Sequence, residues 1–117
     1  MSEFRVWAPA ADSVDVVVDG GSYLMAPQDD DWWAADVPGA ADGADYSFRL
    51  DGGDLLADPR SKWQPRGVRG PSRLYDHGRF AWTDAGWRGV PLPGAVIYEL
   101  HVGTFTPAGT FDAAIGR

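Results

Sequence analysis

The chain has no cysteine and no asparagine among its 117 residues, and no apolar run of membrane-spanning length. Without cysteine there is neither a disulfide nor thiolate chemistry, which fits a reducing cytoplasm. A spanning helix needs about 20 mostly apolar residues in succession. The N-terminal Met1-Ser2-Glu3-Phe4 lacks the basic start and apolar core of a signal peptide. No membrane partner is therefore expected. Positive charge is also scarce: 10 Lys and Arg against 17 Asp and Glu leave a net charge of −7. That balance opposes general affinity for nucleic acid, because neutralising phosphates needs cations. The only two histidines, His77 and His101, have no metal-ligand spacing, so neither a metal nor another cofactor is expected.

What is present is the composition of a folded protein, 44% hydrophobic and 13% aromatic, in a length that suits one ordinary domain and little more. Strand signals recur at short intervals with turn residues between them, the pattern of a β-sandwich. Val14, Val16 and Val18 share one face of a strand, and Asp19-Gly20-Gly21 supplies a turn. Tyr23 and Met25 share a face of the next strand, and Trp33, Ala35 and Val37 follow the acidic turn Asp29-Asp30-Asp31. Tyr46, Phe48 and Leu50 alternate with Ser47 and Arg49, and Asp51-Gly52-Gly53 closes that strand. No helical periodicity of useful length precedes Phe111. Residues 1–90 thus read as an all-β, immunoglobulin-like sandwich. Trp82, Trp87, Pro91, Leu92 and Pro93 form a link, since proline cannot donate to a sheet.

Residues 91–117 are of another kind. Ala95-Val96-Ile97-Tyr98-Glu99-Leu100-His101-Val102 predicts a buried strand, followed by a turn and a helix start at Phe111. A β-then-α unit opens an α/β architecture. On that strand Glu99 and His101 point to one side, and Tyr98, Leu100 and Val102 to the other. Deprived of neighbours, such a strand leaves unpaired backbone and invites self-association edge to edge.

Six of the ten basic residues (Arg60, Lys62, Arg66, Arg69, Arg73, Arg79) fall between positions 60 and 79, interleaved with Trp63 and Tyr75. Pro65, Gly67, Gly70 and Pro71 make this a long loop. Its arginines either pair with the abundant aspartates or strap the sandwich to an acidic neighbour, and the strap is the preferred reading.

Three motifs carry a resemblance. Phe4-Arg5-Val6-Trp7-Ala8-Pro9 is similar to the opening strand of family 48 carbohydrate-binding modules, immunoglobulin-like domains of the early-set type. Residues 98–106 with 109–115 resemble the first strand and helix of the (β/α)8 barrel of glycoside hydrolase family 13. Asp58-Pro59-Arg60-Ser61-Lys62-Trp63-Gln64-Pro65 most resembles the trehalohydrolase subgroup of that family. The resemblance implies the N-terminal region of a glycosidase that releases trehalose from maltooligosyl-trehalose by hydrolysing the α-1,4 linkage next to the terminal trehalose. Alternatives are the same region of a debranching or branching enzyme, or a free-standing glucan-binding module.

Glycoside hydrolysis needs two carboxyl groups flanking the scissile bond. Asp29, Asp30 and Asp31 are adjacent in a turn, and Asp45, Asp51, Asp54 and Asp58 sit at strand ends, so no catalytic residue is expected in this chain. The resemblance places the catalytic carboxylates on later barrel strands. It implies that His101, Thr104 and Phe105 line the substrate cleft, with an α-glucan as partner through the parent enzyme. Glucan-gripping modules of family 48 use two tryptophans, a lysine and an asparagine. Here Tyr23 and Leu55 or Leu56 stand near the tryptophan places, Ser47 stands at the lysine, and asparagine is absent. The module is accordingly expected to bind glucan weakly, at millimolar dissociation constants (about 4 kcal/mol or less), and to serve structurally.

Overall fold

The computed structural model describes residues 2–117, which fall into two compact units dividing between Ala81 and Trp82. In the first unit, eight strands run in order: β1 (Ser2–Trp7), β2 (Val14–Val18), β3 (Gly21–Leu24), β4 (Ala26–Pro27), β5 (Trp32–Val37), β6 (Asp45–Leu50), β7 (Leu55–Leu56) and β8 (Ser72–Arg73). All pairings are antiparallel. One sheet has the order β1-β5-β4 and the other β3-β2-β6-β7, with β8 also paired to β6. β7 meets β6 through Phe48 and Arg49, and β8 meets it through Asp45 and Tyr46.

The turns follow from two Asp-Gly pairs. Asp19 and Gly20 have φ of 46° and 88°, and Asp51 and Gly52 have 51° and 72°. Left-handed backbone at both central residues is the type I′ condition, whose twist matches that of paired strands. Each aspartate also staples a neighbouring segment. Asp19 Oδ1 accepts from the Asp45 amide at 3.0 Å, and Asp51 Oδ1 from the Asp12 and Ser13 amides at 2.9 and 2.8 Å. The sequence therefore fixes two bends and ties each of them to another part of the chain.

The core lies between the sheets. β1 supplies Phe4 and Val6, β2 supplies Val14, Val16 and Val18, β5 supplies Val37, and β6 supplies Tyr46 and Phe48. The Phe4 and Tyr46 rings meet edge-to-face with centroids 5.0 Å apart, joining β1 to β6 across the sandwich. The alternation expected for β2 is present, whereas on β5 Trp32 to Ala35 are all half-buried and Val37 alone is buried, with Trp33 and Ala35 packed against the core cluster. Met25 is buried where the chain leaves β3 in one sheet for β4 in the other, and its amide donates to the Val14 carbonyl at 2.9 Å. Tyr23, expected on the same face, remains 37% exposed because β3 is an edge strand that ends at this crossing. β6 departs from a clean period of two, since Ser47 is buried along with Tyr46 and Phe48.

The second unit corrects the strand expected at residues 96–102. Residues 95–101 join no ladder, and Val102 starts the single-turn helix α1 (Val102–Phe105). A buried parallel strand exists only through its neighbours, and none is available among the described residues. α2 (Phe111–Ile115) forms where the helix start was expected, with Thr110 Oγ1 accepting from the Ala113 amide at 3.2 Å as an N-cap. No described helix is long and apolar enough to cross a membrane.

Candidate functional site

The outward face of β6 is closed by the loop from Asp58 to Arg73. Asp58 is the hinge of that closure. Its amide donates to Ser72 Oγ at 2.9 Å, its Oδ1 accepts from the Arg60 amide at 2.7 Å, and its Oδ2 accepts from the Tyr46 hydroxyl at 2.7 Å. Farther along, the Arg73 amide donates to the Trp63 carbonyl at 2.8 Å. The Arg73 guanidinium grips Asp45 at 2.5 and 3.0 Å while its carbon lies 5.2 Å from the Trp63 ring centroid. Arg66 adds a second cation to Asp45 at 3.1 Å, and Arg79 pairs with Asp42. Three arginines of the basic stretch thus pair with aspartates of their own sandwich, as the first of the two readings above requires.

This packing bears directly on sugar binding. Ser47, at the place of the family lysine, is only 7% exposed. The hollow beside it, about 390 Å³, is lined by Val17, Ser47, Leu55, Arg66 and Pro71 together with Tyr46, whose ring is turned into the core. Leu55 and Leu56 are half-exposed and Tyr23 more than a third exposed, so what this face offers a pyranose is small aliphatic surface and one edge tyrosine. A stacking platform needs flat aromatic area, which this face does not provide.

The closure is also a set of titrating groups. Burial first, and then the hydrogen bond to the Asp58 carboxylate, push the Tyr46 hydroxyl well above its ordinary value of 10.0. Neutral Tyr46 is the form that the fold accepts, so its contribution is complete below pH 10 and declines as pH rises beyond it. The hydrogen bond from Arg73 holds Asp45 below the usual 3.8, and the Asp76 amide with the Arg79 guanidinium does the same for Asp42. Those contributions are present above pH 3.8 and vanish as pH falls through the lowered values. Thermal melts across pH should accordingly show an alkaline decline starting near pH 10. Tyr46→Phe should flatten that decline, and an identical decline in the variant would assign it to other groups.

His101, Thr104 and Phe105 come together on one turn. His101 precedes α1 with extended backbone, φ −97° and ψ 110°. Thr104 Oγ1 donates to the His101 carbonyl at 3.2 Å and lies 3.3 Å from its Nδ1. Phe105 meets Tyr98 edge-to-face at 6.3 Å. Gathering them required no strand, because a helical turn brings residues i and i+3 together. The expected opposition of Glu99 and His101 to Tyr98, Leu100 and Val102 across a pleat has no ladder to define it. Among the described residues no cluster of three or more His, Cys, Asp or Glu is placed to hold a metal ion. Asp29, Asp30 and Asp31 occupy one short 3-10 turn.

Sequence reasoning did not find the Tyr46–Asp58–Ser72 set or the Arg73 grip on Asp45. The partners lie 12, 14 and 28 residues apart, and no local spacing rule links them.

The sandwich with a looped-over outer face matches a known module type: residues 2–63 match carbohydrate-binding module 48, the isoamylase N-terminal domain. The chain belongs to the carbohydrate-binding module 48 family. As a member, it is 53% identical over 118 residues to a malto-oligosyltrehalose trehalohydrolase of Arthrobacter ramosus, with 97% of this chain covered. It is 50% identical over 122 residues to the protein of that name from Rhizobium sp. (strain M-11), again with 97% covered. A crystal structure of a Salmonella typhimurium protein assigned as an alpha amylase superposes with a TM-score of 0.92 at 41% identity, covering 97% of this chain and 20% of that one. This module-48 chain spans about a fifth (20%) of the length of these curated relatives.

Proposed function

We propose that the chain is the N-terminal region of a glycoside hydrolase that releases trehalose from maltooligosyl-trehalose by cutting the α-1,4 linkage next to the terminal trehalose. The observation that carries this reading is the likeness to trehalohydrolases, which runs through both compact units rather than through the sandwich alone. Residues 1–90 serve as an immunoglobulin-like module of the early-set type, and residues 91–117 as the linker and first segment of a (β/α)8 barrel. The compact division falls earlier than residue 90, before Trp82, because the linker joins the second unit.

Exposure supports the barrel assignment. Val96, Ile97 and Tyr98 are 94%, 82% and 74% exposed, which is what a barrel strand looks like without the neighbouring strands and helices that cover it. The same surface gives the 117-residue chain a route to strand-mediated self-association. His101, Thr104 and Phe105 then line the glucan cleft at the barrel's catalytic face. The reaction takes place in the cytoplasm, and hydrolysis by a carboxylate pair requires no cofactor. The module itself shapes the cleft, because its own outer face is closed by the Asp58 loop.

The test uses the protein encoded by the complete reading frame, assayed on maltooligosyl-trehalose and on a branched glucan. Free trehalose from the first and no debranching of the second is the expected result. The 117-residue chain by itself should release no trehalose above buffer, since it lacks a catalytic carboxylate pair. Activity confined to the branched glucan would reassign the parent enzyme, and turnover by the short chain would overturn the placement of the catalytic carboxylates.

A further inference from the structure

Three arginines of the basic stretch find aspartates, but Arg5, Arg60 and Lys62 form no ion pair among the described residues. Arg5 comes from β1 and Arg60 from the loop after β7, yet both lie over the same indole. Their guanidinium carbons stand 5.3 and 5.5 Å from the Trp32 ring centroid. A cation–π contact of this kind uses no N–H donor, so each guanidinium can still donate to an oxyanion. Lys62 lines the same hollow, of about 270 Å³, at the open seam between β1 and β6. Glu3 and Asp58 line it as well, against Arg5, Arg60, Lys62 and Arg73, so the lining is net positive.

A chain of net charge −7 has no need to keep three cations together unmatched, since dispersing them among its carboxylates would lower their mutual repulsion. Next to them stands flat apolar surface. Tyr75 lines the same hollow and is 47% exposed. At about 270 Å³ the hollow is slightly smaller than ordinary ligand pockets, which run from roughly 300 to 1,000 Å³. A single sugar with one charged substituent suits it better than a glucan chain. Nucleic acid is opposed by the overall charge.

We infer that Arg5, Arg60 and Lys62 form a binding site for a sugar phosphate, with the phosphate held by the two guanidinium groups and the Lys62 ammonium, and the sugar ring against Tyr75. The site lies on the seam of the sandwich, apart from the closed outer face of β6, and is independent of the reaction proposed above. It gives the module a small anionic ligand in place of the neutral glucan it is poorly equipped to grip.

The test is an NMR titration of the 117-residue chain with glucose 1-phosphate, inorganic phosphate and maltose, following the amides of Arg5, Trp32, Arg60 and Lys62. Glucose 1-phosphate should saturate these shifts, bind at least about fivefold tighter than inorganic phosphate, and weaken with added salt. Maltose should not saturate them. Arg60→Gln and Lys62→Gln should each weaken binding by about fivefold or more, whereas Arg88→Gln, outside the hollow, should leave it unchanged. Tyr75→Ala should erase the preference over inorganic phosphate. Lys62 is exposed and forms no ion pair among the described residues, so its variant keeps the test valid even if Arg60→Gln proves unstable. Absence of saturation by glucose 1-phosphate, equal binding of maltose, or an equal loss from Arg88→Gln would overturn the phosphate site. Equal affinity for inorganic phosphate would overturn the role given to Tyr75.

Discussion

Phe48→Ala should leave the sandwich unfolded or close to it. Phe48 is 1% exposed, lies opposite Val16 of β2 and Leu56 of β7, and meets Tyr46 edge-to-face at 5.9 Å. Truncating a buried phenylalanine costs about 3–5 kcal/mol, through lost transfer energy and the cavity left behind. A domain of this size holds only about 5–15 kcal/mol in all. The variant should lose most of its cooperative urea transition as read by tryptophan fluorescence. Phe48→Leu, which keeps most of the volume, should lose less than about 1.5 kcal/mol. A drop below about 1 kcal/mol for the alanine variant would mean that β6 is not the centre of the core.

Asp58→Ala should cost about 2–3 kcal/mol, more than an ordinary loop substitution, because it removes the acceptor of the Tyr46 hydroxyl and of the Arg60 amide together. Tyr46 is 8% exposed, so its hydroxyl would be left in the core with little access to water. The magnitude comes from this orphaned donor, not from lost charge. Pairing the change with Tyr46→Phe isolates the effect. The double variant should be less damaged than the sum of the two single ones, since the phenylalanine leaves no donor to satisfy. Strict additivity in urea midpoints would show that Asp58 and Tyr46 act separately. The variant should also loosen the loop over Ser47, which faster amide exchange at Arg73 would report, because that amide is held by the Trp63 carbonyl at the far end of the same closure.

The elements legible in the sequence are those whose cause is local. Val14, Val16 and Val18 alternate because a strand has a period of two, and one face of β2 meets the core. Asp19-Gly20 and Asp51-Gly52 turn the chain because left-handed backbone is cheap for glycine and tolerable for aspartate. Thr110 caps α2 because its hydroxyl reaches an amide three residues on. The segment 96–102 carries the same kind of local signal, an apolar run of β-branched and aromatic residues, yet forms no strand. Its signal specifies burial between partners, and a ladder is a property of two segments, not of one.

The motif at residues 4–9 points, from order and spelling alone, to the carbohydrate-binding module that residues 2–63 match. The sequence by itself also determined the strand periods, the two type I′ turns, the net negative charge and the absence of stacking tryptophans at the expected sugar positions. The tertiary structure alone decided that Asp58 joins Tyr46 to Ser72, that Asp45 collects Arg66 and Arg73, and that Arg5 and Arg60 share Trp32. It also decided that Ser47, polar and on the outward side of its strand, is buried. The physical reason is common to all of these. Which distant charges and rings meet depends on how two sheets and a long loop close on one another, and the energy of each contact is paid only after the chain entropy of bringing its partners together has been overcome.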